Sequence, residues 1–374
     1  MRILFVGGGT AGHINPALSV AQYIRKMHPD AQILYVGTPY GMESKLVPEA
    51  GFNFKGIEVL GFQRQFNWRN IKNNIKAVRC LVTSGKKAEK ILKEFNPDLV
   101  MGTGGYVSGP VVLRAAKMGI KTVTHEQNAF PGVTTKLLSK RVDKILLAFS
   151  KANDFLHMEQ KTVVTGNPVR EDFIFGNKLQ ARKELGLDER PVILSFGGSL
   201  GARKINETVA ELIAWDWKDA KIQHIHATGR YGTELFPELL TQYGVDYKNA
   251  PHIRFQEYIF NQATCMAAAD LVISRAGAIT LCEIEAAAKP SILIPSPNVS
   301  ENHQYHNAMV LANQGAAVVI EEKDLTGKRL RQEVEKLIFN QQRLKEFSKK
   351  AGELAILDST KKIYQELMKL IKRT

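Results

Sequence analysis

Cysteine is nearly absent from this chain. Cys80, Cys265 and Cys282 are too few and too scattered for a disulfide framework, and none forms a CxxC metal pair. A reducing compartment is the expectation. Long apolar runs are missing as well: none approaches the ~18–20 residues that cross a bilayer. The N-terminal apolar stretch Ile3–Val6 runs straight into glycines, so it does not read as a signal peptide. No acidic residue lies between Glu58 and Glu89. What remains is 44% hydrophobic and 24% charged, the balance of an ordinary soluble globular protein, which excludes collagen-like, disordered and coiled-coil chains. The 374 residues suit two domains with full cores.

Positive charge is unevenly spread. Residues 1–165 hold 23 Lys and Arg against 11 Asp and Glu, whereas residues 166–374 hold 28 against 26. Nearly all of the +14 net charge therefore belongs to the first part, which predicts an anionic partner there: a membrane surface, a nucleic acid or a charged substrate.

Short apolar runs alternate with amphipathic segments. Arg2–Val6, Gln32–Val36, Asp98–Met101, Lys121–Thr124 and Lys144–Ala148 read as buried strands, with helical patterns between them. The pattern restarts at Pro191–Phe196 and continues at Gln223–Ala227, Ile253–Gln256, Leu271–Ser274, Ser291–Ile294 and Ala317–Ile320. The two starts look alike, ILFVGGGTAGH from Ile3 and ILSFGGSLGAR from Ile193. This predicts an α/β protein of two Rossmann-like, doubly wound domains, with parallel sheets facing an interdomain cleft. The boundaries expected are 1–165 and 166–357, with Gly166–Arg170 as hinge. A basic amphipathic helix in 358–374 is expected to pack back on the first domain. In such sheets ligands bind beyond the carboxyl ends of the strands.

Three glycine-rich loops follow predicted strands and open helices: Gly7–His13, Gly102–Gly109 and Gly197–Ala202. Glycine lets backbone N–H groups approach a phosphate, and the helix N-terminus adds a favourable dipole. Each alone also fits a tight strand-to-helix turn; three in the same context favour phosphate binding. The first fits G-x-G-x-x-G, so a nicotinamide dehydrogenase must be weighed. That fingerprint needs an acid at the end of the second strand, and Tyr35-Val36-Gly37-Thr38 supplies none. A fourth loop, Arg275–Glu283, follows the strand Leu271–Ser274 and opens a helix; the Glu283 carboxylate further along it can accept both hydrogen bonds of a ribose diol, and alone it would read as a solvated helix residue.

Read together and in order, the first loop with HINPAL, GTGGYVSGP, HEQNAFPG (His125–Gly132), GNPVR (Gly166–Arg170), GGSLGA and GAITLCEI followed by HQYHNA resemble the MurG family of peptidoglycan N-acetylglucosaminyltransferases over essentially the whole chain. The pairing of GGYVSGP with HEQN separates it from diacylglycerol and macrolide glycosyltransferases. The chain departs from the commonest pattern at Ala11, Leu200 and His303. The resemblance implies a GT-B fold and inverting transfer of N-acetylglucosamine from UDP to the C4 hydroxyl of lipid I, giving lipid II. It implies no cofactor and no catalytic metal. Carried over by matching positions, Arg170 contacts the nucleotide, Ser199 a phosphate, and Ile259 the uracil through its backbone. Ala278, Ile279, Thr280, Leu281, Cys282 and Glu283 hold diphosphate and ribose. Gln304 and Asn307 hold the sugar hydroxyls, and Asn128 with Thr10, Ala11 and Gly12 approaches sugar and acceptor.

The acceptor hydroxyl must lose a proton as it attacks. A neutral histidine suits this, and a positioned base gives ~10²–10⁴ in rate. His13 stands at a helix start, where the dipole favours the neutral ring; it would otherwise read as a helix cap. Glu126 and Tyr106 are the alternatives. His125, beside Glu126, reads as an orienting group. His224 and His226, on a predicted strand, read as structural.

The positive charge concentrates in the interval without acids. Ile71, Ile75, Val78 and Val82 fall within about 60° of one another on a helix. Arg64, Arg69, Lys72, Lys76 and Arg79 flank that stripe, and Phe62, Phe66 and Trp68 precede it. This resembles an interfacial amphipathic surface, though such a stripe equally fits a core-facing helix. The expected partners are UDP-N-acetylglucosamine, lipid I and an anionic leaflet, at the cytoplasmic face of the plasma membrane; cell-wall and division proteins are the further class such a role implies. A nucleic-acid partner, suggested by charge alone, lacks a basic-aromatic motif. A transferase with another lipid acceptor remains the nearest rival.

Overall fold

Every strand pairing among residues 1–59 and 83–372, which the computed structural model describes, is parallel. The chain divides into two units. The first is Met1–Pro168, joined by the C-terminal segment from Asp358; the second is Val169–Leu357.

The first unit contains β1 (Arg2–Val6), β2 (Gln32–Gly37), β3 (Asn53–Gly56), β4 (Leu99–Gly102), β5 (Lys121–Glu126), β6 (Lys144–Leu147) and β7 (Thr162–Val164). Their order is β3-β2-β1-β4-β5-β6-β7. Strands buried on both faces need no polar alternation, and β1 shows this. Ile3 and Phe5 enter one core with Tyr35, Leu99 and Met101; Leu4 and Val6 enter the opposite one with Val36 and Val100. Helix α1 (Ala11–Met27) buries Ile14, Ala17, Val20, Ala21 and Ile24, the spacing of one helical face, and ends on Arg25 and Lys26, which suit the negative end of its dipole. Three shorter helices serve the site: α2 (Glu43–Glu49), α3 (Ser108–Lys117) and α4 (Val133–Leu138).

The second unit contains β8 (Val192–Phe196), β9 (Gln223–Ala227), β10 (Ile253–Gln256), β11 (Leu271–Ser274), β12 (Ser291–Leu293) and β13 (Ala317–Val319), ordered β10-β9-β8-β11-β12-β13. Its site helices are α5 (Arg203–Asp216), α6 (Ala278–Ala286) and α7 (His303–Asn313). The strand order reverses once in each sheet, between β1 and β4 in the first and between β8 and β11 in the second. Within each unit the two loops leaving those neighbouring strands lie at the position where open α/β sheets bind ligands.

The C-terminal helix α8 (Ser359–Ile371) packs on α1. Its Ile363 and Leu367 are fully buried in the core that holds Ile14 and Ala17. Tyr364 meets the Tyr23 ring edge-on at 5.3 Å, and its hydroxyl lies 2.8 Å from His28 Nε2. Lys144 on β6 pairs with Glu366. Leu367→Ala should thus cost about 2–5 kcal/mol in urea denaturation, and the exposed Lys361→Ala about 0.5 kcal/mol or less. Equal effects would contradict this packing.

Candidate active site

In the first unit the loops after β1 and β4 touch backbone to backbone. Gly105 has φ +78°, and a Cβ there would lie 2.3 Å from Gly8 O. Gly104, at φ +105°, lies along the His13 ring: a Cβ would come 2.8 Å from its Cδ2. Side chains at either position would push the loops apart.

His13 is the third residue of α1. Its Nδ1 lies 3.3 Å from Gly8 O and 3.4 Å from Thr10 Oγ1, and Thr103 Oγ1 donates to His13 O at 2.7 Å. A carbonyl can only accept, so this network assigns the proton to Nδ1 and the lone pair to Nε2. The N–H groups of His13 and Ile14 go to Thr10 O. The helix itself does not use those of Ala11 and Gly12, which suit an anion or a sugar oxygen.

Sequence reasoning missed Glu43, the first residue of α2. Its fully buried carboxylate accepts the Thr38 N–H (2.8 Å) and O–H (2.6 Å) on Oε1 and the Gly9 N–H (3.1 Å) on Oε2. Burial alone would raise its pKa; the Thr38 and Gly9 donors outweigh burial and lower it. A Cβ at Gly8, Gly37 or Gly41 would come within 2.2–2.4 Å of this side chain. The signal available was a glutamate closely preceded by two glycines just past a strand.

Glu126 and Asn128 form a brace. The buried Glu126 accepts Asn128 N–H (3.0 Å) and Nδ2 (3.1 Å) on Oε1, and Gly132 N–H (2.9 Å) and the Thr135 hydroxyl on Oε2. Four donors on its two oxygens make it the keystone of the turn into α4, which argues against the alternative of Glu126 as base. Tyr106, 60% exposed, stands on the second loop. His125 is fully buried. Its Nε2–H donates to Gly166 O at 3.0 Å, and its Nδ1 accepts from Gln127 Nε2 at 2.9 Å. Burial pushes its pKa down to about 4, so it holds the exit from β5 as a neutral ring.

In the second unit the loop after β8 is pinned by the loop after β9. Arg230 N–H donates to Ser199 O and Tyr231 N–H to Leu200 O, each at 3.1 Å. A Cβ on Gly201 (φ +84°) would meet Thr228 O at 2.3 Å. Beneath them runs a buried neutral relay. Ser195 Oγ lies 2.8 Å from His226 Nδ1, His226 Nε2 lies 3.1 Å from Asn206 Oδ1, and Asn206 Nδ2 donates to Thr228 O at 2.9 Å. Burial pushes His226 down to about 3. The sequence reading of His224 and His226 as structural agrees with their burial.

Gly277 caps α6 without a side-chain hydrogen bond, and no acid occupies the first turn. The helix leaves the N–H groups of Ala278, Ile279 and Thr280 unused. Two expected binding residues turn inward: Leu281 is fully buried and donates its N–H to Gly277 O, and Cys282 is buried a full turn into the helix. Asn307 is likewise fully buried and donates to Ala276 O at 3.2 Å, which braces the loop after β11. Gln304 accepts the Ser296 N–H at 2.9 Å. Ile259 is buried, and Ser199 is exposed at its loop. Arg64, Trp68, Arg69, Ile71, Lys72, Ile75, Lys76, Val78, Arg79 and Val82 lie outside the described residues.

Glu283 and Arg170 come together electrostatically. Burial raises Glu283 to about 7, Arg170 opposes the rise and Asp172 adds to it. Arg170 stacks its guanidinium 4.9 Å from the Phe173 ring centroid.

Two doubly wound sheets with paired loops at their switch points define the class by fold: a two-domain, Rossmann-like α/β protein. Family models agree, the glycosyltransferase family 28 N-terminal domain over residues 3–147 and its C-terminal domain over 192–367. A UDP-N-acetylglucosamine--N-acetylmuramyl-(pentapeptide) pyrophosphoryl-undecaprenol N-acetylglucosamine transferase from Acetivibrio thermocellus is 44% identical, covering 100% of this chain and 99% of the relative. One of the same name from Caldanaerobacter subterraneus is 45% identical, covering 98% of each. The crystal structure of Acinetobacter baumannii MurG superposes with a TM-score of 0.77 at 28% identity, covering 98% of this chain and 99% of that one. The chain belongs to glycosyltransferase family 28 and, within it, to the MurG family.

The family resemblance puts a ribose diol against Glu283; such a diol donates to an ionised carboxylate, and burial raises the Glu283 pKa to about 7. Affinity for UDP-N-acetylglucosamine should therefore rise with pH, about 10-fold from pH 6 to pH 8 by linkage at one group. The sugar nucleotide is the suitable probe because its diphosphate has no proton to lose in this range. Calorimetry should show this slope in the parent and its loss in Glu283→Gln; an identical slope in both would contradict the assignment.

Proposed function

We propose that the chain is an inverting glycosyltransferase that moves N-acetylglucosamine from UDP-N-acetylglucosamine to the C4 hydroxyl of undecaprenyl-diphospho-N-acetylmuramoyl-pentapeptide, lipid I, forming lipid II. The observation that carries this reading is kinship running through both units and all four loops.

In this reading His13 is the general base. The acceptor O–H proton passes to Nε2 as the oxygen attacks C1; the bond from C1 to the diphosphate breaks, and its electron pair leaves with UDP. The tautomer set by Gly8 O supports His13, and the four donors on Glu126 argue against the carboxylate. Charge growing on UDP needs preorganised donors, and the first-turn N–H groups of α6, Ser199 and Arg170 are the candidates. The first unit takes the acceptor and the second the donor.

Lipid I is anchored in a membrane, so the enzyme must reach one. Among the described residues no helix is long and apolar enough to cross a bilayer. We assign peripheral attachment at the cytoplasmic face to the basic, aromatic-led segment 62–87, on its sequence alone. Each Lys or Arg near an anionic leaflet contributes about 1 kcal/mol.

Transfer to a lipid I analogue should be strong from UDP-N-acetylglucosamine and weak from UDP-glucose, with diacylglycerol a poor acceptor; the reverse preference overturns the reading. His13→Ala should lower turnover by about 10²–10⁴ while sugar-nucleotide binding persists. Turnover within about threefold of the parent would exclude His13 as base. Reversing Lys72, Lys76 and Arg79 to Glu should weaken binding to phosphatidylglycerol vesicles, and unchanged binding would remove the membrane assignment.

A further inference from the structure

The mechanism above leaves the buried carboxylate of Glu43 unused. Its two oxygens take three donors, and one of these is the Gly9 N–H at 3.1 Å. That N–H belongs to the same peptide group as the Gly8 carbonyl. The Gly8 carbonyl in turn lies 3.3 Å from His13 Nδ1. An unbroken hydrogen-bonded chain thus runs from the carboxylate, through one peptide unit, to the imidazole. The glycines fit this arrangement. A Cβ on Gly8 would strike Glu43 Oε1 at 2.2 Å, and one on Gly105 would strike Gly8 O at 2.3 Å.

We propose that Glu43 is a positioning residue for the base, acting on His13 through the Gly8–Gly9 peptide. This rests on the reading of His13 as base. An ionised carboxylate pulling on the Gly9 N–H makes the Gly8 oxygen more negative, since hydrogen bonds in series polarise one another. A more negative oxygen holds the Nδ1 proton more firmly. It keeps the lone pair on Nε2 and stabilises the imidazolium formed when the acceptor proton arrives. A triad carboxylate does the same for a histidine it touches directly. Glu43 keeps its charge throughout and takes no proton. The Thr10 hydroxyl, 3.4 Å from Nδ1, is a second contact on the same nitrogen.

The facing titratable groups do not compete. Tyr35 on β2 is held protonated by burial and by the Glu43 charge. His125 on β5 is held neutral by burial. Neither carries charge near neutral pH.

Glu43→Gln keeps the volume, removes the charge and sets an amide N–H against the Thr38 or Gly9 donors. Turnover with a lipid I analogue should fall about 10- to 100-fold, less than for loss of the base itself. The acidic limb of the kcat/KM profile should move to lower pH, because the base has become weaker. The KM for UDP-N-acetylglucosamine should stay within about twofold, since the donor residues belong to the other unit. Activity within about threefold of the parent overturns the proposal, and so does a loss of activity with an unmoved acidic limb. His13→Ala run alongside separates the two readings. If His13→Ala keeps turnover, the base assignment fails and the relay with it; if only Glu43→Gln keeps turnover, the relay alone fails. Should Glu43→Gln not fold, histidine ¹⁵N NMR of the parent decides. Neutral His13 should carry its proton on Nδ1, and a proton on Nε2 overturns the proposal.

Discussion

A carboxylate cut off from water must find donors, and in the first unit Glu43 finds them in the turns that leave β1 and β2. Much follows from that need. Gly8, Gly37 and Gly41 leave room for the side chain. The Gly8–Gly9 peptide is fixed in orientation, so its carbonyl faces His13. The loop after β4 then closes on the same carbonyl through Gly105. Gly8, which looks in sequence like part of a phosphate cradle, is here first of all part of the socket for a buried charge.

The second unit meets the same demand without charge. Its loop after β8 is held by the Ser195, His226, Asn206 and Thr228 relay, in which a deeply buried histidine stays neutral. The difference fits the two tasks. A loop that receives a diphosphate is better supported by neutral dipoles, because a buried anion beneath it would repel the ligand. A loop that must keep a histidine basic gains from a negative charge behind it. Asn307 and Glu126 extend the pattern: each hydrogen-bonds the backbone of a loop.

Much of this was legible in the sequence. Eleven of the strands were visible as apolar runs, within a residue or two of their ends, because parallel strands buried on both faces leave little else to read. The two missed strands, β3 and β7, are the sheet edges. Asn53–Gly56 is largely exposed and Thr162–Val164 is three residues long, so neither carries a buried run. The glycine loops and His13 were found because they follow strands. Glu43 was not, because its importance lies in what three distant-looking glycines leave empty. Leu281, Cys282 and Asn307 show the converse: a motif gives residue order, whereas helical geometry decides which side chains turn inward. The charge surplus of residues 1–165 was plain from composition, and it falls in the unit whose acceptor is lipid-linked in our reading.

The central claim is a single displacement at C1 by a C4 hydroxyl activated at His13, and product stereochemistry tests it most directly. The account predicts a β-1,4 linkage from the α-linked donor when one round of transfer to a lipid I analogue is followed by proton NMR of the anomeric coupling. An α linkage, or attachment at another hydroxyl, would contradict it.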